Sequence, residues 1–377
     1  MIIGLLGFNF ENANKGCEAL TYSFIDIINS MVEGEKKIIY FSNDDLIGNV
    51  PKYYPNTTFE LVRIRLKDPH FSFIKKMKAC DIIFDITYGD NFSDIYLPEF
   101  ALKTTLIKNL VTMIGVPLVL LPQTYGPFNS KLISLLAARA ISKAKRVYSR
   151  DQLSIDCINN LTQKDVMLTT DLAFLLPYAK KETVSTKKKL GINVSGLLWK
   201  GGFQENNQFG LTVDYRKYVR KIIDGFKDEF EIHLIPHVIE TVPHSLDGDL
   251  FIIEELAKDY RQCIKAPAFR DAIEAKSYIA NMDVFIGARM HSTVAAFSSG
   301  VAVIPFSYSR KFEGLYGNLG YEYIVHGCSD TTDDAIRKTF SWINDYKVLK
   351  ESVERCHGVL DKQLGEFKND LKEILKE

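Results

Sequence analysis

The sequence predicts an α/β protein built from two Rossmann-like domains that face each other across a cleft, with a helical C-terminal tail. Two observations lead to this prediction. Short apolar runs alternate with longer amphipathic stretches, which is typical of parallel sheets made of βαβ units. The 377 residues also exceed what one ordinary hydrophobic core accommodates, so two cores are expected.

The first domain is expected over residues 1–178. Its apolar runs predict seven strands, at Ile2–Leu6, Lys37–Phe41, Phe59–Ile64, Asp81–Ile86, Pro117–Leu121, Arg146–Tyr148 and Val166–Leu168. Helical spacing of apolar residues predicts helices at Glu18–Met31, Leu97–Met113, Lys131–Lys143 and Gln152–Leu161.

The second domain is expected over residues 188–346, after a linker formed by Pro177 and the lysine-rich stretch Lys180–Lys189. Its predicted strands are Leu190–Val194, Glu231–Ile235, Asp283–Ile286 and Val301–Phe306. Residues 347–377 have helical periodicity and are expected to pack back on the body. This organisation is that of the two-domain, GT-B glycosyltransferases. In such proteins, ligands bind at the C-terminal edges of the sheets, so the loops that follow strands matter most.

Composition excludes several classes of partner. Lysine plus arginine and aspartate plus glutamate both number 47, so no overall field attracts nucleic acid. No apolar run is long enough to span a bilayer and no signal peptide is recognisable, so we expect a cytoplasmic protein with at most peripheral membrane contact. The six cysteines are scattered, without metal-ligand spacing, and are read as reduced thiols. We therefore expect no metal and no cofactor.

The most informative segment is Gly287–Ser292, which lies between a buried strand and the start of a helix. Arg289 offers a planar fork for carboxylate or phosphate, and His291 can exchange protons near neutral pH. The helix beginning near Ser292 supplies backbone N–H groups for an anion. Separately, Arg289 is also compatible with a structural ion pair, and His291 with a helix-capping or core role. Together they predict a site for a small anion that undergoes acid–base chemistry.

Several other strand ends carry candidate ligands. Tyr308 and Lys311 follow the next strand, and Gln123 ends a strand of the first domain. Arg150 is read either as a second anion clamp or as the partner of Asp171 in a salt bridge. His237 follows the strand Glu231–Ile235.

The remaining candidates point to sugar binding. Asn14 and Glu18 either bind sugar hydroxyls or cap a helix. Tyr88 and Asp90 follow a strand of the first domain and are candidates for the same hydroxyls. Trp199 either stacks on a sugar ring or shields the cleft.

In order, these loops resemble the polysaccharide pyruvyl transferase family. The most specific match is the Gly-x-Arg-x-His segment at residues 287–291, followed by Pro305, Tyr308 and Lys311. The matching segments cover nearly the whole chain: Asn14–Ala19, Gln123–Phe128, Ser149–Ser154, Thr170–Phe174, Leu234–His237, Asp283–Ser292 and Gly300–Leu319.

The resemblance implies transfer of pyruvate from phosphoenolpyruvate onto two hydroxyls of a hexose, giving a cyclic ketal on a capsular or surface polysaccharide precursor. It implies an acceptor assembled on a lipid carrier, and it assigns this acceptor to the first domain and the donor to the second. Donor-binding candidates are Arg289, Ser292, Lys311, Arg150, Tyr308 and Gln123; acceptor-binding candidates are Asn14, Glu18, Tyr88, Asp90 and Trp199.

For catalysis, the resemblance and the position of the residue make His291 the leading acid. His237 is the weaker candidate, and Asp90 and Glu18 are candidates for the base. Two other functions fit the same fold: a glycosyltransferase with a nucleotide-sugar donor, and a non-catalytic glycan-binding or sensing protein.

Overall fold

A computed structural model describes residues 1–42, 50–65, 72–95, 98–180, 187–240 and 245–376. The chain divides into two compact units. Unit 1 contains Met1–Glu11, Leu20–Leu172 and Asp361–Glu377, and unit 2 contains Asn12–Ala19 and Ala173–Leu360.

Unit 1 is built on a sheet of seven parallel strands in the order β3-β2-β1-β4-β5-β6-β7. The strands are β1 (Ile2–Leu6), β2 (Lys36–Ser42), β3 (Thr57–Arg63), β4 (Ile82–Asp85), β5 (Leu118–Gln123), β6 (Arg146–Ser149) and β7 (Met167–Leu168). The helices are α1 (Lys15–Met31), α2 (Val50–Tyr53), α3 (Ser72–Lys78), α4 (Pro98–Met113), α5 (Lys131–Lys143) and α6 (Gln152–Asn159). The first turn of α1 belongs to unit 2.

Unit 2 has a second parallel sheet, of six strands in the order β10-β9-β8-β11-β12-β13. Its strands are β8 (Lys189–Asn193), β9 (Glu231–Ile235), β10 (Ile264–Lys265), β11 (Val284–Gly287), β12 (Ala302–Ser307) and β13 (Val325–His326). Its helices are α7 (Gly196–Trp199), α8 (Tyr215–Phe226), α9 (Leu250–Asp259), α10 (Ala272–Ile279), α11 (Met290–Ser298), α12 (Arg310–Leu319) and α13 (Thr332–Asn344), followed by α14 (Tyr346–Lys376).

The predicted fold class, two parallel α/β sheets and a helical tail, is confirmed. Every predicted strand is present within one or two residues at either end. The central strands are buried on both faces, as the continuous burial of Ala302–Ser307 shows, and this explains their unbroken apolar runs. The sequence did not reveal β10 and β13, because each has only two residues and no apolar run.

The two units differ from the predicted domains at three places: residues 12–19 and 173–178 belong to unit 2, and the predicted tail is divided between the units. Asn12–Ala19 joins unit 2, because Lys15 N donates to His237 O at 3.0 Å and Ile239 N donates to Ala13 O at 2.7 Å. The end of α14, from Asp361, joins unit 1. Of the predicted linker, residues 181–186 lie outside the described part of the chain.

The 31 residues of α14 bury an apolar stripe. In unit 2, Leu349 belongs to the hydrophobic core, and His357 Nε2 contacts Phe297 O at 2.8 Å. In unit 1, the Phe367 ring lies 4.9 Å from that of Tyr148, measured between centroids. The helix is therefore part of both cores rather than an appendage. None of the helices in the described residues is long and apolar enough to cross a membrane.

Candidate active site

The loop between β11 and α11 is fixed by an asparagine at the end of a neighbouring strand. Asn193, the last residue of β8, accepts hydrogen bonds at its Oδ1 from Arg289 N at 2.9 Å and from Ser292 Oγ at 3.2 Å. Ser292 Oγ also lies 2.7 Å from Arg289 O. Arg289 is the N-cap residue of α11. The predicted strand-to-helix junction therefore exists, and Asn193 holds its backbone in place.

The guanidinium of Arg289 contacts two carboxylates. Its Nε and Nη2 donate to Asp249 Oδ1 at 3.2 and 2.8 Å, and its Nη1 donates to Asp247 Oδ1 at 2.6 Å. Burial opposes the charge on Arg289, but Asp249 and Asp247 outweigh it and raise the pKa of the guanidinium above its ordinary value. The structural ion pair considered for Arg289 is present, and anion binding by the same group stays a proposal.

Asp249 organises the loops around this arginine. It is fully buried, and its Oδ2 accepts from the backbone N–H groups of His237 and Val238, both at 2.9 Å. Its Oδ1 also accepts from Gly196 N at 2.9 Å. One carboxylate thus connects the loops after β8, β9 and β11. Asp247 differs, because its side chain is 26% exposed.

His291 packs against the first turn of α1. Gly16 lies so close that a Cβ there would overlap Nδ1 of His291 and stand 2.6 Å from its Cγ. His291 itself is half-buried, in the first turn of α11. The glycine therefore leaves space for the imidazole, and its position fixes where that ring can lie.

His237 is the second histidine of the cluster. It is 3% exposed, and neither ring nitrogen has a hydrogen-bond partner among the described residues. Burial, with the nearby charges of His291, Arg289 and Lys15, holds its pKa well below its ordinary value. The ring is therefore neutral near pH 7, which weakens its case as a proton donor in the free protein.

A buried ion pair lies on the same segment as Gly16. Lys15 Nζ contacts Glu18 Oε1 at 2.7 Å, and the two side chains are 6% and 1% exposed. Burial raises the pKa of Glu18 to about 7, against the opposing charge of Lys15. Glu18 Oε1 also accepts from Asn12 N at 2.9 Å, whereas Oε2 has no partner among the described residues. Glu18 is thus a carboxyl group that can exchange a proton near neutral pH.

The other site residues predicted in unit 2 differ from one another in burial and in their contacts. Tyr308 is half-buried, and its ring lies 5.1 Å from that of Phe209, measured between centroids. Lys311 lies half-buried in the first turn of α12. Asn14 Oδ1 accepts from Gly16 N at 3.0 Å, so this side chain caps α1. Trp199 is 4% exposed in the hydrophobic core, which favours a packing role over stacking on a sugar.

The predicted residues of unit 1 form a separate group. Arg150 Nη1 contacts Asp171 Oδ2 at 2.6 Å, with both side chains buried, so the salt bridge considered for Arg150 is present. Gln123 is buried, and its Nε2 contacts Asp85 Oδ1 at 3.3 Å. Asp90 is half-buried and adds to the negative field around Arg150. Tyr88 has a φ of 56° and lines a cavity.

Sequence reasoning missed Lys15, Asn193, Asp247 and Asp249. A signal existed for the two carboxylates, because Asp247-Gly248-Asp249 directly precedes α9, whereas nothing local distinguishes Asn193. Within the described residues, no group of three or more His, Cys, Asp or Glu side chains is placed to hold a metal. Metal-independent chemistry stays a prediction.

Residues 14–310 match the family described as polysaccharide pyruvyl transferase. The chain belongs to that family. The match includes the junction at Arg289 and the segment carrying Gly16 and Glu18. A curated relative, the amylovoran biosynthesis protein AmsJ of Erwinia amylovora, is 22% identical over 309 residues, which cover 75% of this chain and 70% of that protein.

Solved structures with the same fold are more distant in sequence. UDP-GlcNAc 2-epimerase from Neisseria meningitidis, bound to UDP-GlcNAc, aligns with a TM-score of 0.59 at 10% identity over 100% of both chains. The lipopolysaccharide outer core galactosyltransferase WaaB aligns with a TM-score of 0.54 at 12% identity, also over 100% of both chains. At these identities the likeness shows a GT-B-like fold, while the family match identifies a transferase linked to polysaccharide biosynthesis.

Proposed function

We propose that this transferase moves pyruvate from phosphoenolpyruvate onto two hydroxyls of a hexose in a surface or capsular polysaccharide precursor. The observation that carries the proposal is the position of His291. It lies beside Gly16 in the first turn of α11, with Arg289 directly before that helix. The family match and the naming of a relative for amylovoran biosynthesis add support.

The reaction requires four proton movements. An acid delivers a proton to the methylene carbon of phosphoenolpyruvate, which makes C2 electrophilic, and one sugar hydroxyl adds to C2 while a base removes its proton. The C2–O bond to phosphate then breaks, the departing phosphate takes up a proton, and the second hydroxyl adds with loss of its own proton. The products are the ketal and inorganic phosphate. The site must therefore supply an acid, a base and groups that stabilise the departing phosphate.

We assign these roles as follows. His291 is the acid, and Glu18 is the better base candidate, because its pKa of about 7 permits proton exchange near neutrality. Arg289, Ser292 in the first turn of α11, and Lys311 are assigned to the donor. Among the partners of Arg289, Asp247 is half-exposed and Asp249 is fully buried, so an incoming anion can replace Asp247 more easily.

The assignment of Glu18 is tested by Glu18→Gln, which keeps the shape of the side chain and removes its proton exchange. The pH–rate profile should lose the limb near pH 7 that reports Glu18. An unchanged limb in a folded variant would transfer the role to Asp90, whose replacement by Asn is the parallel experiment.

The function is tested by incubating the purified protein with phosphoenolpyruvate and a panel of hexose-containing lipid-linked or synthetic acceptors. Phosphate release should depend on the acceptor, and the sugar product should gain the mass of a pyruvate ketal. His291→Ala should lower turnover by roughly 10²–10⁴-fold without loss of fold. The matched control is His326→Ala, because His326 is 38% exposed and pairs with Glu313 in the same unit.

Two outcomes would contradict the proposal. Turnover of a nucleotide sugar with no use of phosphoenolpyruvate would establish the glycosyltransferase alternative, to which the WaaB likeness in fold lends some support. Saturable glycan binding without turnover of either donor would establish a binding protein.

A further inference from the structure

Unit 1 contains a cavity of about 220 Å³ at the C-terminal end of its sheet. Gly7, which follows β1, and Asp85, the last residue of β4, both line it. From β1 the chain adds β2 and β3 on one side of the sheet, and it then returns to add β4 and β5 on the other side, so the strand order switches between β1 and β4. Ligands of open α/β sheets bind at this reversal point. The cavity therefore occupies the position in the sheet where a ligand is expected on topological grounds.

The base of the cavity is a buried, charge-compensated network. Lys108 Nζ lies 3.1 Å from Asp85 Oδ2 and donates to Thr87 Oγ1 at 2.8 Å, and Thr87 Oγ1 donates to Asp85 Oδ1 at 2.6 Å. Both charged side chains are at most 4% exposed. Because the carboxylate and the ammonium offset each other, this network adds little net charge to the cavity.

A strained turn forms one wall. Thr87 and Tyr88 are consecutive non-glycine residues with φ angles of 39° and 56°, a region that β-branched residues rarely adopt. Tyr88 N donates to Gly7 O at 2.6 Å, and a Cβ on Gly7 would lie 2.5 Å from Thr87 Cα. Each such residue costs about 1–3 kcal/mol and persists only where its surroundings enforce it. The surrounding structure therefore holds Thr87 and Tyr88 in an unfavourable conformation at the wall of the cavity.

The walls combine aromatic rings with short polar side chains and one lysine, Lys103. The rings of Tyr88 and Phe100 have centroids 5.8 Å apart, and both residues line the cavity together with Phe41. Ser42 and Thr104 add hydroxyl groups to the lining. Aromatic faces suit the C–H face of a sugar ring, and hydroxyls suit its rim.

The volume is sufficient for a single ring. A cavity of roughly 150 Å³ accommodates benzene. A cavity of about 220 Å³ therefore has room for one substituted six-membered ring. We propose that it binds one pyranose ring of the acceptor, with Tyr88 and Phe100 against the ring and Ser42 and Thr104 at its hydroxyls. This inference rests on the proposed function for its choice of a sugar.

The first test measures saturation-transfer NMR from the full-length protein to methyl glycosides of glucose, galactose and mannose. Thr104→Phe places a ring in the cavity and should abolish transfer to the hexoside that the wild type binds. Thr112→Phe is the matched control, because Thr112 is also a half-buried threonine of α4 but does not line the cavity. Transfer that survives in a folded Thr104→Phe variant, or no transfer to any hexoside in the wild type, would overturn the proposal.

A second variant separates binding from folding. Tyr88→Gly relieves the positive φ, so the melting temperature should stay level or rise, while hexoside binding should fall at least tenfold. A lower melting temperature with unchanged binding would show that Tyr88 is structural and would refute its role here. Binding of phosphoenolpyruvate, measured by calorimetry, should be unchanged in Thr104→Phe. If the wild type binds a hexoside but neither binds nor consumes phosphoenolpyruvate, the proposed function fails and the sugar site stands.

Discussion

Arg289 and Asp249 form a buried ion pair in which two guanidinium nitrogens, Nε and Nη2, share one carboxylate oxygen at 3.2 and 2.8 Å. The other oxygen of Asp249 is bound by backbone N–H groups of His237 and Val238. The pair therefore connects the residue before α11 to the loop after β9. Any role of Arg289 in donor binding is combined with a structural one, and experiments must separate the two.

Replacing Arg289 should reduce both stability and activity. Arg289→Ala leaves Asp249 buried without its cation, so the free energy of unfolding should fall by about 3–5 kcal/mol in denaturant titrations. Arg289→Lys should not restore activity, because an ammonium cannot reproduce a planar contact. At a temperature where the Ala variant is folded, transition-state stabilisation should drop by about 2–4 kcal/mol. Wild-type-like kinetics in that variant would remove Arg289 from the site.

A variant at Asp247 tests donor binding by Arg289 separately from its structural pairing with Asp249. Asp247→Asn removes the half-exposed carboxylate that contacts Nη1 and leaves the buried pair with Asp249 intact. If the donor anion takes that position, its Kd should fall by up to about tenfold, equivalent to ~1.4 kcal/mol. Calorimetry with phosphoenolpyruvate measures this. Asp259→Asn, which removes a half-exposed carboxylate paired with Arg220, is the control. Weaker donor binding in Asp247→Asn would show instead that Asp247 supports the site.

Gly16→Ala should displace the imidazole ring of His291 while leaving the histidine itself unchanged. The added methyl group overlaps the imidazole, so the ring must move and turnover should fall by at least tenfold. Gly358→Ala is the control, since a Cβ there meets no atom within 4 Å, and alanine in a helix should stabilise by up to about 1 kcal/mol. Normal turnover in Gly16→Ala would argue against a catalytic position for His291.

His237 should make the free energy of unfolding decrease as the pH falls below 6.5. Its pKa is well below the ordinary value of 6.5 in the folded protein, so below pH 6.5 the unfolded chain binds a proton that the folded chain does not. The stability contributed by neutral His237 is therefore present above pH 6.5 and lost as the pH falls. Below pH 6.5, wild type should therefore lose stability relative to His237→Gln as the pH falls, measured by chemical denaturation. Parallel pH profiles of the two proteins would contradict this.

Truncation before Lys347 should destabilise the protein. α14 places Leu349 in the core of unit 2 and the Phe367 ring against Tyr148 in unit 1, so its loss exposes apolar surface in both units. We expect a lower melting temperature by calorimetry. The contrary result, an unchanged melting temperature with lost liposome binding, would identify the helix as a peripheral membrane contact for a lipid-linked acceptor.

The sequence by itself determined the two parallel sheets and eleven of the thirteen strands that the described residues form in them. Runs such as Val301–Phe306 are apolar at every position because parallel strands are covered on both faces, and this signal is local. The junction at Arg289 was also predictable, because a strand, a polar turn and a helix follow one another within a few residues.

Only the tertiary structure decided the partners of these residues. Asp249 lies 40 residues from Arg289 along the chain, and Gly16 reaches His291 from the opposite end of the sequence. Likewise, Lys108 forms an ion pair with Asp85, which lies 23 residues earlier in the chain. Periodicity reports which face of an element is buried, but an ion pair or a steric contact between distant loops leaves no periodic trace. Folding brings those loops together at the ends of the strands, and that contact decides which charges are compensated and which protons can move.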